Sequence, residues 1–377
     1  MYDIAIIGAG PAGATLARLV GKGYRVLLLD RRRLDSTPDG ASVKSCGGLV
    51  APDAQEVLGR MGLALPREVL VGPQIFAVRT LDLQSGQERY YQRFYINIDR
   101  ERFDRWLVAL VPAGVDVRMG CLFHAYTRED DGYALNLSAG GRRFTERARI
   151  LIGADGAASR LRIATFPRAP LKRYAAIQEW FEVPAAPPYF SAIFDPEVTD
   201  FYAWTIPKEG LLLLGAALQP GETAPARFTL LKDQLRHRGF DLSRPIRREG
   251  AWVLRPQAVS LPVAAAPGLA LIGEAAGFIS PSSAEGFSYA FRSALAAAGS
   301  LRPGLDGFTQ RYQRSVGPLR RNLLLKRLKA PFMYNPMLRR LVLATGLASL
   351  DVLHEHDAAP ALAAGTDGPP GQASRGG

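Results

Sequence analysis

Residues 3–13 read Asp-Ile-Ala-Ile-Ile-Gly-Ala-Gly-Pro-Ala-Gly, an apolar stretch that runs directly into closely spaced glycines. The apolar part predicts a short buried strand, and the residues after it predict a helix. Gly8 allows the tight turn between them, Gly10 lets a pyrophosphate approach the backbone, and Gly13 lets the helix pack closely on the strand. The stretch therefore predicts a helix N-terminus that faces the phosphates of a dinucleotide.

A helix from about Pro11 to Gly21 and a second apolar strand from Arg25 to Asp30 complete a β-α-β unit. Asp30 ends the second strand, where an acid accepts a hydrogen bond from a ribose hydroxyl. Arginines follow at positions 31–33. We interpret this run as a solvated basic loop rather than as a site for a nucleotide 2′-phosphate.

Two more glycine motifs each end an apolar stretch, Gly153-Ala154-Asp155-Gly156 and Gly273-Glu274-Ala275-Ala276-Gly277. They resemble the D-G and G-D motifs of FAD-dependent oxidoreductases, in which the second of these contacts the ribitol chain. Glu274 stands where most of those proteins have Asp. The resemblance implies FAD as the cofactor, and the absence of a second G-x-G-x-x-G motif predicts no dedicated nicotinamide domain.

Four further segments resemble motifs of the geranylgeranyl reductase family, within the p-hydroxybenzoate hydroxylase-like flavoproteins. They are Cys46-Gly47-Gly48, the R-x-x-F-D run within residues 95–104, the aromatic segment 201–208, and residues 281–286 with Ala284 in place of a glycine. The similarity covers roughly residues 1 to 300. It implies that reduced FAD hydrogenates isolated C=C bonds of a prenyl chain, with an external electron donor such as NAD(P)H or ferredoxin.

The resemblance also implies roles for single residues. Tyr202, Trp204 and Pro207 would line a tunnel for the alkyl chain. Cys46 is the candidate catalytic acid, because an isolated alkene needs a proton on the carbon that does not receive the hydride; the alternative is a small apolar residue in a loop. The predicted cofactor-binding residues, including Arg100 at the phosphates and three glycines at the flavin ring, are Gly8, Gly10, Pro11, Ala12, Gly13, Asp30, Arg31, Gly47, Gly48, Arg100, Asp155, Gly156, Gly273, Glu274, Ala275, Ala276, Gly277 and Gly286.

Other functions use similar motifs. Flavin-dependent halogenases carry W-x-W-x-I-P where this chain has Tyr202-Ala203-Trp204-Thr205-Ile206-Pro207, and aromatic hydroxylases share the three glycine motifs. A membrane-docked flavin electron carrier is a further alternative. The C-G-G loop is not a halogenase feature, so the motifs favour a reductase over an enzyme that uses oxygen.

Composition and charge narrow the possible partners. The chain has 377 residues, two cysteines, four histidines and a net charge of +12, which argues against a disulfide framework and a zinc site. No secretory signal or membrane-spanning stretch is recognisable, which predicts a cytoplasmic protein.

Nine basic residues and no acid lie in residues 307–350. This segment predicts either peripheral contact with anionic lipid or a helix pair with its charges in water. No motif suggests nucleic-acid binding, and we expect a hydrophobic small molecule or lipid as substrate and an electron-donor protein as a possible partner.

We predict an α/β fold with a Rossmann-type FAD-binding domain, a β-sheet-plus-helix substrate lobe and a C-terminal helical segment. Residues 74–97 predict a hairpin that turns at Ser85-Gly86, and residues 284–301, 308–328 and 336–350 predict helices. The expected division is 1–73, 98–171 and 255–305 for the FAD-binding domain, 74–97 and 172–254 for the substrate lobe, 306–356 for the basic segment and 357–377 for a disordered tail.

Overall fold

The computed structural model describes residues 1–34, 45–167, 171–256, 267–346 and 349–350. The predicted disordered tail, 357–377, and the last part of the predicted basic segment lie outside the described residues. Among the described residues, no helix has the length and apolar character that crossing a membrane would require.

The described strands and helices are mixed along the chain up to β15, after which helices α6 to α9 follow one another. In chain order the strands are β1 (Tyr2–Ile7), β2 (Val26–Asp30), β3 (Leu49–Val50), β4 (Ile75–Asp82), β5 (Glu88–Asn97), β6 (Asp116–Met119), β7 (Leu122–Glu129), β8 (Gly132–Ala139), β9 (Arg142–Gly153), β10 (Arg173–Glu182), β11 (Phe190–Phe194), β12 (Ala203–Lys208), β13 (Leu211–Leu218), β14 (Arg244–Leu254) and β15 (Leu269–Leu271). The helices are α1 (Pro11–Val20), α2 (Pro52–Arg60), α3 (Arg100–Ala109), α4 (Arg160–Thr165), α5 (Ala224–Arg236), α6 (Phe287–Leu301), α7 (Phe308–Ser315), α8 (Gly317–Tyr334) and α9 (Pro336–Thr345).

The first sheet brings the three glycine motifs together. Its order is β6-β2-β1-β9-β8-β7, with β15 paired to β9, and β1, β2, β6, β9 and β15 run parallel. The carboxyl ends of parallel strands meet at the same edge of a sheet. The turns after β1, β9 and β15 therefore converge there, which confirms the predicted Rossmann-type fold. Strands β2 and β15, most of β1 and the end of β9 are buried, because α1 and α6 cover this part of the sheet in a common core.

The second sheet has the order β14-β10-β13-β12-β11-β4-β5-β3. In the described part of the chain its pairs are antiparallel, except that β11 runs parallel to β4. Helix α5 packs on one face through Phe228, Leu231 and Leu235. The opposite face carries Trp204 and Ile206, which line a cavity.

The helix predicted for residues 284–301 begins at Phe287 instead. Residues 280–286 form a tight loop, closed by a bond from the Ser280 N–H to the carbonyl of Glu285. Ala284 has a φ of 52° in this loop, a left-handed conformation that an α-helix cannot include.

The predicted helix 308–328 is divided into α7 and α8, and α8 continues to Tyr334. The break falls at Val316-Gly317-Pro318, because Pro318 has no N–H to bond back into the preceding turn and fits the first turn of a new helix. The last helix ends at Thr345 rather than at 350, since Gly346 takes a φ of 60°.

Candidate active site

A cavity of about 1580 Å³ lies between the two sheets. It exceeds the usual size of a site for one small ligand, so it has room for a dinucleotide and a second molecule. Of the residues predicted from the sequence, the following line it: Gly8, Gly10, Pro11, Ala12, Asp30, Arg31, Cys46, Gly47, Gly48, Arg100, Asp155, Gly156, Tyr202, Trp204, Glu274 and Gly286. Six do not: Gly13, Pro207, Gly273, Ala275, Ala276 and Gly277.

The glycines of the first motif have different functions. Gly8 has a φ of 104°, and a Cβ there would lie 2.5 Å from the Ala154 carbonyl oxygen. A Cβ on Gly13 would collide with the Gly8 carbonyl oxygen, so this glycine serves the packing of helix on strand. Gly10 faces open space, where among the described residues a Cβ would have only Arg32 Nη2 nearby, at 3.9 Å. No acidic residue lies in the first turn of α1 and no side chain caps it, so its positive end fits a phosphate ligand.

Asp30 is buried and already bound by protein donors. Its Oδ2 accepts from the Ala9 N–H at 2.8 Å and from Arg32 Nη2 at 3.0 Å. Its Oδ1 accepts from the backbone N–H and the Nε of Arg32. A carboxylate has about four acceptor positions. A ribose hydroxyl could therefore bind Asp30, the predicted acceptor, only by displacing one of these four donors.

Arg32 belongs to a buried charge network that the sequence did not reveal. Its Nη1 donates to Asp104 Oδ2 at 2.7 Å, and Arg100 Nε donates to Asp104 Oδ1 at 2.9 Å. Burial opposes the charge of Asp104, but Arg100 and Arg32 together lower its pKa below the usual value. Arg100 and Asp104 are four residues apart on α3, a spacing that could have been read as a pair. The link to Arg32 is long-range and left no such signal.

The second motif presents an unsatisfied acceptor. Asp155 Oδ2 accepts from the Arg160 N–H at 2.8 Å, whereas its buried Oδ1 has no hydrogen-bond partner among the described residues. Burial raises the pKa of Asp155. A buried orphan acceptor in a cavity fits a hydroxyl or amide donor of a ligand. The glycine cradle, the open helix end and this acceptor together fit FAD.

Arg162 joins the second motif to the third and was missed by the sequence analysis. Its guanidinium donates to the carbonyl of Ala157 at 2.6 Å and to that of Ala275 at 3.1 Å. The third motif forms a 3₁₀ turn over Gly273–Ala276, and only Glu274 reaches the cavity. Glu274 Oε1 accepts from the Leu254 N–H at 3.0 Å, which ties this turn to the second sheet.

The Cys46-Gly47-Gly48 loop crosses the cavity and is held by Lys208. Lys208 Nζ donates to the carbonyls of Ile98 at 2.8 Å and Gly48 at 3.3 Å. Burial lowers the pKa of Lys208 to about 8, although its coulombic interaction with Cys46 partly opposes this. The Gly48 N–H donates to Cys46 Sγ at 3.5 Å. Lys208 ends the aromatic segment quoted above, so its signal was present in the sequence but was not used.

An aromatic wall faces this loop. The rings of Tyr202 and Trp204 are 5.4 Å apart, and the Tyr202 hydroxyl donates to the Ser283 carbonyl at 2.7 Å. Ile206 is the next residue on the same side of the strand. Pro207 was expected in this wall, but side chains alternate along a strand and it does not line the cavity. Its carbonyl instead accepts from Asn97 Nδ2 at 2.9 Å.

Glu285 is a further charged residue that the sequence analysis did not select. Its Oε1 accepts from the Tyr95 hydroxyl at 2.6 Å and from Arg93 Nη2 at 2.9 Å. Burial and the charge of Glu285 raise the pKa of Tyr95 well above its ordinary value. Among the described residues, no group of three or more His, Cys, Asp or Glu side chains could hold a metal ion.

Comparisons with known proteins agree with this geometry. A sequence model of the FAD binding domain family matches residues 1–239. Protein CbrA of Escherichia coli O6:H1 is 40% identical over 355 residues, which cover 94% of this chain and 96% of that protein. The structure of a geranylgeranyl bacteriochlorophyll reductase-like protein from Thermoplasma acidophilum matches with a TM-score of 0.76 and 22% identity, covering 96% of both chains. PqsL of Pseudomonas aeruginosa, a probable FAD-dependent monooxygenase, matches with a TM-score of 0.66 and 19% identity, covering 92% of this chain and 99% of that one.

Proposed function

The chain belongs to the FAD binding domain family, and from this premise we propose that it reduces C=C bonds of a prenyl, geranylgeranyl-type chain. FAD is its cofactor, and it is a FAD-dependent oxidoreductase by family. We further propose that the first sheet forms the FAD-binding part and the second sheet the substrate lobe.

The observation that carries the proposal is the apolar wall beside the Cys46-Gly47-Gly48 loop. Besides Tyr202 and Trp204, the wall of the second sheet includes apolar side chains from five other strands: Val78, Ala176, Phe190, Ala192, Phe194, Ala217 and Val253. An isolated alkene has no carbonyl or phenol through which an enzyme could hold it. Its recognition therefore depends on shape and on burial of apolar surface, which such a wall provides.

Reduced FAD, when bound, supplies the hydride for one alkene carbon. The chain has to exclude water, hold the alkene and deliver a proton to the other carbon, so that one C=C bond becomes a single bond and FAD is left oxidised. We assign the proton to the Cys46 thiol. The Gly48 N–H points at its sulfur, and Arg100 and Lys208 interact with it electrostatically. The thiolate that remains faces these groups and regains its proton from solvent.

The first test uses holoprotein whose flavin has been reduced chemically under anaerobic conditions. Addition of a detergent-dispersed geranylgeranyl lipid should reoxidise the flavin and add two hydrogens for each double bond reduced, as followed by absorbance and product mass. A flavin that stays reduced with lipids of several head groups would contradict the proposal. A long-lived peroxide adduct on admission of air would instead favour a monooxygenase or halogenase. Oxidised holoprotein mixed with NADH, NADPH or reduced ferredoxin identifies the electron donor.

The second test concerns the thiol. A positioned general acid contributes about 10²–10⁴-fold to a rate. Cys46→Ala should therefore slow flavin reoxidation by the lipid at least about 100-fold, while FAD content and chemical reduction stay normal. An unchanged rate would assign Cys46 the alternative role of a small apolar loop residue.

A further inference from the structure

Helices α8 and α9 expose an unusual number of apolar side chains. Leu325, Leu328, Phe332, Met337 and Leu341 are each between 54% and 79% exposed, with Leu324 at 38%. We call these six residues the helical face. Large apolar side chains scattered singly on a surface are ordinary, but a set confined to two consecutive helices marks an interaction site.

The helical face is not the outer side of an ordinary packed helix pair. Leu324, Leu328 and Phe332 follow one another at intervals of four residues, so they lie along one side of α8. Leu319 and Leu323, also on α8, are buried against the protein. The helix is thus apolar on both its inner and its outer side. The alternative that the sequence left open, a pair with only its charges in water, does not describe this arrangement.

Lys326 and Arg339 pair with Asp53 and Asp82, but the remaining charges around the helical face are of one sign. Arg321, Arg327, Lys329 and Arg340 are exposed, and none has a carboxylate partner among the described residues. No acidic residue occurs between positions 307 and 350. Basic residues beside exposed leucines and phenylalanine are the composition with which interfacial helices bind anionic lipid.

The helical face continues into the cavity described above. Phe332 and Val342 are both exposed and line the cavity, together with Lys329 and Met333. Whatever covers α8 and α9 therefore also covers an entrance to the aromatic wall. A molecule dissolved in that covering layer could pass from it to the cavity without crossing bulk water.

We propose that the helical face docks on the surface of an anionic lipid bilayer and that the prenyl chain enters the cavity from the bilayer. The identity of the molecule that enters, a prenyl chain, rests on the proposed function, whereas docking on the bilayer does not. A second copy of the chain is a poorer occupant, because two such faces would bring unpaired positive charges against each other.

Flotation of the FAD-loaded full chain with lipid vesicles tests the proposal. Vesicles of phosphatidylcholine with phosphatidylglycerol should bind the protein, and vesicles of phosphatidylcholine alone should bind it far less. Leu328→Glu should weaken binding at least about tenfold, since it removes an exposed leucine that docking on the bilayer would bury. Ile246→Glu is the matched control, because Ile246 is 50% exposed on the edge strand β14 and should leave binding unchanged.

The charge contribution is tested by Arg321→Gln with Arg327→Gln. Each basic side chain near an anionic surface contributes about fivefold in affinity, so the pair should weaken binding about thirtyfold at low salt. Equal binding by wild type, the double variant and Leu328→Glu would overturn the proposal. A wild-type protein that does not bind vesicles would also overturn the proposal. A wild-type dimer that Leu328→Glu dissociates would assign the helical face to self-association.

A second readout separates docking from catalysis. With a prenyl lipid embedded in vesicles, Leu328→Glu should turn over more slowly than wild type, and with a short detergent-dispersed substrate the two should be equal. If the proposed C=C reduction is wrong, no variant turns over either substrate, and flotation still decides whether the face docks. Equal turnover of the embedded lipid by both proteins would contradict entry from the bilayer.

Discussion

Lys208 makes the stability of the protein depend on pH in a way that one substitution can isolate. Lys208 is 5% exposed, and burial lowers the pKa of its ammonium from 10.5 to about 8. Between these two values the unfolded chain binds more protons than the folded chain does. The free energy of unfolding therefore rises with pH across this window, because a costly buried charge is lost.

The size of the effect follows from the two pKa values. Below about pH 8 the lysine is protonated in both states, so its penalty is constant. From about pH 7.5 to about pH 9.5 the contribution of Lys208 to the free energy of unfolding should rise by about 2 kcal/mol. In Lys208→Met this contribution is absent. The difference in stability between wild type and variant should change by that amount over the window.

Denaturant unfolding of both proteins at the two pH values measures this difference. Buried tyrosines also titrate at high pH, but they are the same in both proteins and cancel. Lys22→Met, at an exposed lysine, is the matched control and should unfold in parallel with wild type at both pH values. If the free energy of unfolding of Lys208→Met changes with pH as much as that of wild type, Lys208 does not carry a desolvated ammonium with a lowered pKa.

Three further substitutions test other parts of the structure. Gly10→Asp should yield a colourless protein with a normal circular dichroism spectrum, because the added carboxylate has room in the fold but repels a pyrophosphate; a yellow protein would refute the placement of the first motif. Ala284→Gly should raise the free energy of unfolding by about 1 kcal/mol, since glycine tolerates the left-handed conformation at this position; a loss in denaturant stability would contradict this. Arg339→Met should lower it by about 3–5 kcal/mol, because it leaves Asp82 buried without its partner at 2.7 Å; a denaturation midpoint close to wild type would show that the pair is not needed.

The elements that could be predicted from the sequence are those with local causes. A strand, a glycine turn and a helix start lie within a dozen residues of each other, so Gly8, Gly10 and Gly13 could be interpreted one by one. The N-cap of α3 is equally local, because the Asp99 side chain accepts from the Arg102 N–H three residues further on. Pro207 shows a signal that was present and overlooked, because a period of two already groups residues 202, 204 and 206 on one side of a strand.

Long-range partners could not be predicted in the same way. Tyr95 and Glu285 are 190 positions apart, and Arg339 and Asp82 are 257 apart. The sequence around each of these polar side chains does not indicate its partner, because each could equally be solvated by water. Only the packing of the two sheets and the C-terminal helices brings them within hydrogen-bond distance.

The sequence by itself therefore determined a dinucleotide site and the class of fold, because a phosphate-binding turn is built from neighbouring residues whose backbone conformations glycine permits. The resemblance of its other glycine motifs to those of FAD-dependent oxidoreductases identified the dinucleotide as FAD. The tertiary structure alone decided that Arg32 pairs with Asp104, that Lys208 holds the cysteine loop, and that the apolar residues of α8 and α9 remain exposed at the mouth of the cavity. The physical reason is that burial and pairing depend on every element that surrounds a side chain, whereas a turn depends only on the residues that form it.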